Sequence, residues 1–276
     1  MERREFIKTA GSSLAVGLTS SVATEIIATT TRPQNDAHIK DQLYKVSHFN
    51  QNFADDFLLP EKYLDVMVTT YHRINRIKRY VGYGHFNLIT FDEMIRYSRR
   101  NHSIGNFTRN EQTFLDMIFH ENAYEYGFYG KKVLSQMTHQ IIKRKVVKIP
   151  RSGHYIYRGE AEKLFSRLRK DVGSDLILTS GIRGIVKQFH LFLAKAIKTG
   201  GNFSRASRSI APPGYSYHGI GDFDVGKRGF GHRNFSSEFA NTEEFKKLIE
   251  LGYISIRYTS QNKFGVRFEP WHIKVT

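Results

Sequence analysis

The chain contains no cysteine, and it has only one tryptophan and six prolines among its 276 residues. Without cysteine it can form no disulfide, no thiolate zinc site and no cysteine nucleophile. Any metal ion must therefore be held by histidine, aspartate or glutamate side chains.

Acidic residues are fewer than basic ones: the chain has 26 Asp and Glu and 42 Lys and Arg, which gives a formal net charge of +16. Such a charge predicts attraction to anionic polymers or lipid headgroups and says nothing about the fold. We expect electrostatic association with an anionic cell envelope. Nucleic acid would suit the charge equally well, but no further feature of the sequence calls for it, and we expect no nucleic-acid partner.

A long apolar run is absent as well. Arg3 and Arg4 precede an apolar segment over residues 10–23 that is rich in Gly, Ser and Ala, a pattern typical of a twin-arginine export signal. We assign this signal to residues 1–32, with a Sec signal or an uncleaved anchor as the alternatives. The segment is too short and too polar for a membrane span. The sequence thus predicts a bacterial protein exported to the periplasm or beyond.

The first half of the chain carries helical patterns. Residues 33–60 are polar and we expect them to be irregular, whereas apolar residues recur every three or four positions over 61–80. Thr90 with Glu93, and Thr108 with Glu111, have the spacing of capping boxes. Residues 33–145 are therefore predicted to form a helical N-terminal region.

From residue 146 onward, short strands alternate with helices. The predicted strands cover 146–149, 155–157 and 176–179, and the predicted helices cover 160–170, the stretch up to Lys198, and 242–251. Residues 253–258 and 264–268 are predicted to form an antiparallel pair of strands, and residues 273–275 are predicted to extend the sheet. The fold class is α+β, with a small, mostly antiparallel sheet in a second domain over 146–276.

Two segments supply the chemistry. One offers His218 and Asp224 on a Gly-rich stretch, and the other offers His272 with Glu269 three positions before it. A catalytic zinc needs three N or O ligands, an open position and a nearby carboxylate to take a proton from water.

We favour Asp224 as the carboxylate ligand, because Phe223 and Val225 flank it as in a strand. Asp222 is the alternative ligand, since residues two apart on a strand share a face.

The segment Glu269-Pro270-Trp271-His272 needs a special backbone path. Residues three apart on a regular strand face opposite sides, and Pro270 disfavours a helix at Glu269. We therefore predict a turn or bulge at Pro270 and Trp271. Trp271 then either forms a wall of the site or packs in the core, and the sequence leaves both open.

Three motifs in register give a family resemblance over residues 153–276. They are Ser180-Gly181-x-Arg183 with Gln188, then Ser216-x-His218-x-x-Gly221, then Glu269-x-Trp271-His272. With these motifs the chain resembles the zinc D-alanyl-D-alanine carboxypeptidases and dipeptidases of the VanY-like group. One departure is that five residues separate His218 from Asp224, where the family usually has six.

The resemblance implies an activity and a role for each residue. Zinc would be held by His218, Asp224 and His272, with Glu269 as the general base and Arg183 stabilising the oxyanion. The expected substrate is a peptidoglycan stem peptide ending in D-Ala-D-Ala. The substrate contacts would come from Ser180, Gln188, Ser216 and Trp271.

Several questions stay open at the level of sequence. The chain could release one residue or two, and could prefer D,D or L,D bonds. Two rival functions are a basic metal-dependent extracellular nuclease and a non-catalytic cell-wall binding protein. A basic rim that could attract an anionic stem peptide is expected from Arg205, Arg208, Lys227, Arg228 and Arg233.

Overall fold

The computed structural model describes residues 36–276, so the predicted export signal lies outside it. Helices make up most of the first half of the described chain. The helices are α1 (Asp36–Ser47), α2 (Leu64–Val81), α3 (Tyr83–Phe86), α4 (Phe91–Arg100) and α5 (Arg109–His120). The helix predicted over 61–80 is confirmed, as are both capping boxes, which begin α4 and α5. The prediction of irregular structure is wrong over α1. Within the described part, no helix is long and apolar enough to cross a membrane.

The second half carries all the strands of the described chain, and it confirms the α+β class. In chain order its elements are β1 (Val146–Lys148), β2 (Tyr155–Tyr157), α6 (Glu160–Val172), β3 (Leu176–Ser180), α7 (Ile185–Lys198), α8 (Phe203–Ser207), β4 (Phe223–Lys227), α9 (Glu243–Glu250) and β5 (His272–Ile273). They form a β1–β2 hairpin and a three-stranded sheet in the order β3–β4–β5, both antiparallel.

The register of the three-stranded sheet brings residues from distant segments together. Asp224 on β4 pairs with Ser180 at the end of β3, next to a local irregularity after Leu178. On its other side Asp224 pairs with His272 on β5. One rung of the sheet therefore carries a predicted carboxylate ligand, a predicted imidazole ligand and a predicted substrate contact.

The predicted antiparallel pair over 253–258 and 264–268 does not form. The first segment lies beside β5 instead, where Arg257 N donates to His272 O at 3.2 Å and Lys274 N donates to Ser255 O at 2.9 Å. The second segment bonds to the helical half, because Tyr129 N donates to Phe264 O at 2.8 Å. Tertiary partners thus displace the local hairpin that the sequence pattern favoured.

Two main apolar clusters hold the structure together. The larger one joins residues of α2, α4 and α5 to the buried face of α7 and continues to Tyr258 and Val266. The second lies between the three-stranded sheet, α6 and α9, and includes Trp271 and Ile273. The larger cluster spans the predicted domain boundary at residue 145, which stays a prediction.

Candidate metal centre and cavity

Three buried side chains converge at the rung of the sheet. His218 Nε2 lies 3.2 Å from Asp224 Oδ1, and His272 Nδ1 lies 3.5 Å from the same oxygen. One ligand atom from each residue falls within 4.8 Å of the other two, and the imidazole rings are 4.7 Å apart. Residues more than fifty positions apart in sequence therefore form one cluster.

The donor set fits a zinc ion. Two bonds of about 2.0–2.1 Å at a tetrahedral angle place ligand atoms ~3.3 Å apart, close to the 3.2 and 3.5 Å found here. His218 Nε2 and Asp224 Oδ1 are buried and have no hydrogen-bond partner among the described residues. Because buried polar atoms are normally satisfied, these two atoms fit the role of ligands to one metal ion.

His218 is held in the tautomer that a metal requires. Its Nδ1 lies 2.9 Å from Gly181 O, so Nδ1 carries the hydrogen and Nε2 keeps its lone pair for the centre. Burial, together with the nearby Arg183 charge, lowers the pKa of His218 to about 4. Gly181 is required here, because a Cβ at this position would overlap the carbonyl oxygen of Tyr155.

His272 is anchored through its other nitrogen. Nε2 lies 3.0 Å from Asp222 Oδ2, while Nδ1 faces the centre and lies 3.5 Å from Glu269 Oε2. Burial by itself would lower the pKa of His272, but the hydrogen bonds to Asp222 and Glu269 raise it to about 9 in the metal-free chain. The two imidazoles therefore present different nitrogens to the cluster.

The two aspartates, which the sequence left as alternative ligands, have different surroundings. Asp222 precedes β4 and is fully buried. Its carboxylate oxygens are hydrogen-bonded to Arg257, to His272 and to the backbone N–H of Val275, the last at 2.9 Å. Burial would raise the pKa of Asp222, yet the contacts with His272 and Arg257 hold it well below its usual range. Asp222 therefore orients His272, and Asp224 is the carboxylate that faces the cluster.

Arg183 lies beside the cluster, as predicted. Its Nη2 donates to Asp224 Oδ2 at 2.6 Å and its Nε donates to Ser180 Oγ at 3.0 Å. Burial would raise the pKa of Asp224, but His218 and Arg183 lower it to about 2. Asp224 is thus an ionised carboxylate with one oxygen on Arg183 and the other facing the two imidazoles.

Glu269 reaches the cluster by the predicted turn. His272 N donates to Glu269 O at 3.1 Å, which closes a turn over Pro270 and Trp271 and brings residues three apart to one side. Trp271 fills both roles that the sequence left open: it belongs to the second apolar cluster and it lines the cavity beside Phe235.

A cavity of about 270 Å³ opens next to these residues. The predicted site residues that line it are Ser180, Arg183, Ser216, His218, Asp224, Glu269, Trp271 and His272. Gln188 does not line it: its side chain is buried and donates to the Ala211 carbonyl oxygen. The structure therefore gives Gln188 no direct access to a substrate in this cavity.

The basic residues predicted for the rim do not form the cavity wall, and whether they flank its mouth stays a prediction. None of these five residues lines the cavity; Arg208, for example, is buried in an ion pair with Asp56. The basic side chains that do line it are Arg183, Lys187 and Arg267. Lys187 follows Arg183 by four residues, which is one helical turn, and this spacing was the only available signal for it.

Sequence reasoning also missed the aromatic and imidazole groups around the centre. Tyr83 reaches the cavity from the helical half, and His154 comes from the loop before β2. Tyr258 packs edge-on against His272, with ring centroids 4.8 Å apart. No local pattern marks these residues, because only tertiary packing brings them to the site.

Part of the chain matches a family model. Residues 154–275, somewhat less than half of the chain, match the family model described as VanY: D-alanyl-D-alanine carboxypeptidase. No curated protein sequence gives a significant match.

Two solved structures resemble part of the chain. One is the LdcB LD-carboxypeptidase, in a structure that concerns its recognition of peptidoglycan, with 24% identity and a TM-score of 0.39 over 47% of this chain and 63% of that one. The other is a VanY D,D-pentapeptidase in complex with Zn(II), with 19% identity and a TM-score of 0.36 over 47% of this chain and 77% of that one. The chain thus spans less than two thirds of the first structure.

Proposed function

We propose, from the premise that residues 154–275 are a VanY-type D-alanyl-D-alanine carboxypeptidase domain, that the protein is a zinc-dependent carboxypeptidase that trims peptidoglycan stem peptides. The proposed substrate is a stem peptide ending in D-Ala-D-Ala, and the proposed product is free D-alanine. Because this substrate lies outside the cytoplasm, the proposal includes an extracytoplasmic location.

The observation that carries the proposal is the pair of orphaned atoms in the cluster. His218 Nε2 and Asp224 Oδ1 are buried and unpartnered, and His272 Nδ1 completes a three-ligand set. A set of two imidazoles and one carboxylate is typical of catalytic zinc sites in hydrolases. When bound there, zinc supplies a Lewis acid that polarises a carbonyl group and acidifies water.

The remaining residues have positions suited to acyl transfer. Glu269 lines the cavity at the edge of the cluster, where its carboxylate can take the proton of an attacking water and deliver it to the leaving amine. Arg183 keeps Asp224 ionised and adds a fixed positive charge where the carbonyl oxygen becomes negative. Trp271 and Tyr258 cover the centre with apolar surface and limit its contact with bulk water.

The test is release of D-alanine from a synthetic stem pentapeptide by the purified full-length chain. We expect release that stops on addition of a chelator and returns on addition of zinc. Glu269→Gln should lower the rate by about 10²–10⁴-fold, the usual contribution of a general base, without loss of bound zinc. Glu250→Gln, at an exposed position at the end of α9, serves as the matched control and should retain the wild-type rate.

Two results would contradict the proposal. One is D-alanine release that persists in Glu269→Gln at the wild-type rate. The other is the absence of zinc-dependent release from any stem peptide, accompanied either by degradation of nucleic acid or by cell-wall binding that a chelator leaves unchanged.

A further inference from the structure

Lys187 is a buried cation that the proposed reaction does not use. It lies on the first turn of α7, lines the cavity and is only 7% exposed. Its Nζ lies 4.9 Å from the ring centroid of Tyr83 and 5.7 Å from that of Phe86. Within residues 36–276 no carboxylate reaches ion-pair distance of this ammonium group, whereas Arg183 one turn earlier is paired with Asp224.

An unpaired cation in this position is energetically unfavourable. Burial, with the nearby charges of Arg183 and Lys78, lowers the pKa of Lys187 from 10.5 to about 8, so the ammonium form still predominates near neutral pH. Contact with aromatic faces offsets only part of the lost hydration. An anion entering the cavity would supply the missing partner and would be held more strongly than in water, because the site is largely desolvated.

Other polar groups in the same cavity also lack partners. His154 is buried; its Nε2 lies 3.5 Å from the Tyr83 hydroxyl oxygen, and its Nδ1 has no partner among the described residues. The hydroxyl oxygens of Thr179 and Ser209, which line the same cavity, are likewise unpartnered there. These groups can donate hydrogen bonds, as carboxylate oxygens require.

We propose that Lys187, with Tyr83 and His154 beside it, forms a carboxylate-binding subsite in this cavity that is filled by an anionic group of the substrate close to the scissile bond. The inference rests on the proposed function and adds a chemical feature that the substrate must carry. Two parts of a stem peptide could supply the carboxylate: the C-terminus of the leaving residue, or an acidic side chain on the acyl side.

Three peptides and three variants separate these sources. The first peptide has both carboxylates, the second has its C-terminus amidated, and the third lacks the side-chain carboxylate. Lys187→Met removes the charge and keeps the length of the side chain, and Lys187→Arg restores a charge. Lys198→Met, at the exposed end of the same helix and outside the cavity lining, is the matched control.

We expect Lys187→Met to raise KM about 10–100-fold for the peptide with both carboxylates, the range for loss of one charged hydrogen bond, with a much smaller change in kcat. The effect should disappear with the peptide that lacks the recognised carboxylate, which identifies its source. Lys187→Arg should recover most of the affinity, and Lys198→Met should behave as wild type. An equal loss with all three peptides, or no change in KM, would overturn the subsite.

A binding measurement keeps this inference separate from the proposed function. Calorimetric titration of the uncleaved peptides into zinc-loaded Glu269→Gln, with and without Lys187→Met, needs no turnover. If the wild type releases no D-alanine, the peptidase proposal fails, but charge-dependent binding through Lys187 would still support the subsite. Equal affinities with and without Lys187→Met, or no binding of any of the peptides, would refute the carboxylate-binding subsite.

Discussion

At the scale of single residues, two aspartates only two positions apart have separate tasks. Asp224 leaves one oxygen free for the centre, whereas Asp222 is saturated by Arg257, by His272 and by backbone N–H groups. A carboxylate on the far nitrogen of an imidazole ligand fixes its orientation and raises its basicity. Asp222 should therefore affect the metal through His272 without touching it.

This difference predicts the outcome of an Asp222 substitution. Asp222→Asn should lower zinc affinity about 10–100-fold, the range for loss of a carboxylate behind a histidine ligand, as measured by competition with a chromophoric chelator. Asp116→Ala, at an exposed position on α5, is the control and should bind zinc as the wild type does. Unchanged zinc affinity in a folded Asp222→Asn protein would show that Asp222 has no such role.

The sequence predicted the cluster better than its surroundings. His218, Asp224, His272 and Glu269 could be found because they lie in motifs whose residue types and spacing suit zinc chemistry. The strand-like residues beside Asp224 favoured it over Asp222 but did not exclude Asp222, because the role of Asp222 depends on Arg257, a partner thirty-five residues away. Lys187 had no signal beyond its spacing of four residues from Arg183, and His154 had none beyond its own identity.

At the scale of elements, α7 connects the site to the helical half. It begins just after Arg183, carries Lys187 in its first turn, and buries Phe189, Phe192 and Leu193 in the larger apolar cluster. His190 lies on the same helix, packed against Tyr71 and Phe86. A polar, titratable residue is thus enclosed in the interface between α7 and the N-terminal helices.

His190 should make stability depend on pH. Burial, with Lys78 and Lys187 nearby, lowers the pKa of His190 from 6.5 to about 3, so below pH 6.5 the unfolded chain binds a proton that the folded chain does not. The free energy of unfolding should therefore fall as the pH drops from 6.5 toward 3, by at most about 1.4 kcal/mol per pH unit.

Urea unfolding between pH 7 and pH 4.5 tests this dependence. His190→Phe should lose up to ~2.5 kcal/mol less stability over this range than the wild type, whereas the exposed-site control His102→Gln should follow the wild type. His154, whose pKa burial and the nearby Lys187 lower to about 4, should leave a residual slope in the variant. Identical slopes in His190→Phe and wild type would contradict the assignment.

Elements with strong local signals were predictable, and those that depend on distant partners were not. The capping boxes of α4 and α5 fix their first turns by contacts within four residues, so sequence sufficed. α1 was missed because its sequence is largely polar and only Gln42 and Val46 are buried. The hairpin over 253–268 failed because both of its segments bond elsewhere.

At the scale of the whole described chain, the cavity is built from both halves. Tyr83 comes from the helical region, Arg183 and Lys187 from the junction of β3 and α7, and Glu269 to His272 from the last turn and strand. The apolar cluster beneath α7 likewise draws on residues from Leu59 to Val266. Folding of the helices and assembly of the site should therefore be coupled.

A fragment of residues 146–276 provides the test. Without α2 and α5, the apolar face of α7 would be exposed, so the fragment should not unfold cooperatively, whereas residues 36–276 should show one sharp thermal transition. Circular dichroism melts and zinc titration of both polypeptides measure the difference. A fragment that melts cooperatively and binds zinc as tightly as the longer polypeptide would show that the helices are dispensable.

The stretch that recurs in other proteins begins at residue 154, yet the apolar cluster beneath α7 reaches back to Leu59. The segment that matches the family and the segment that we expect to fold cooperatively therefore have different limits in this polypeptide. Chimeras that exchange such domains at the homology border would cut through shared hydrophobic contacts, and a workable junction has to be chosen from the packing.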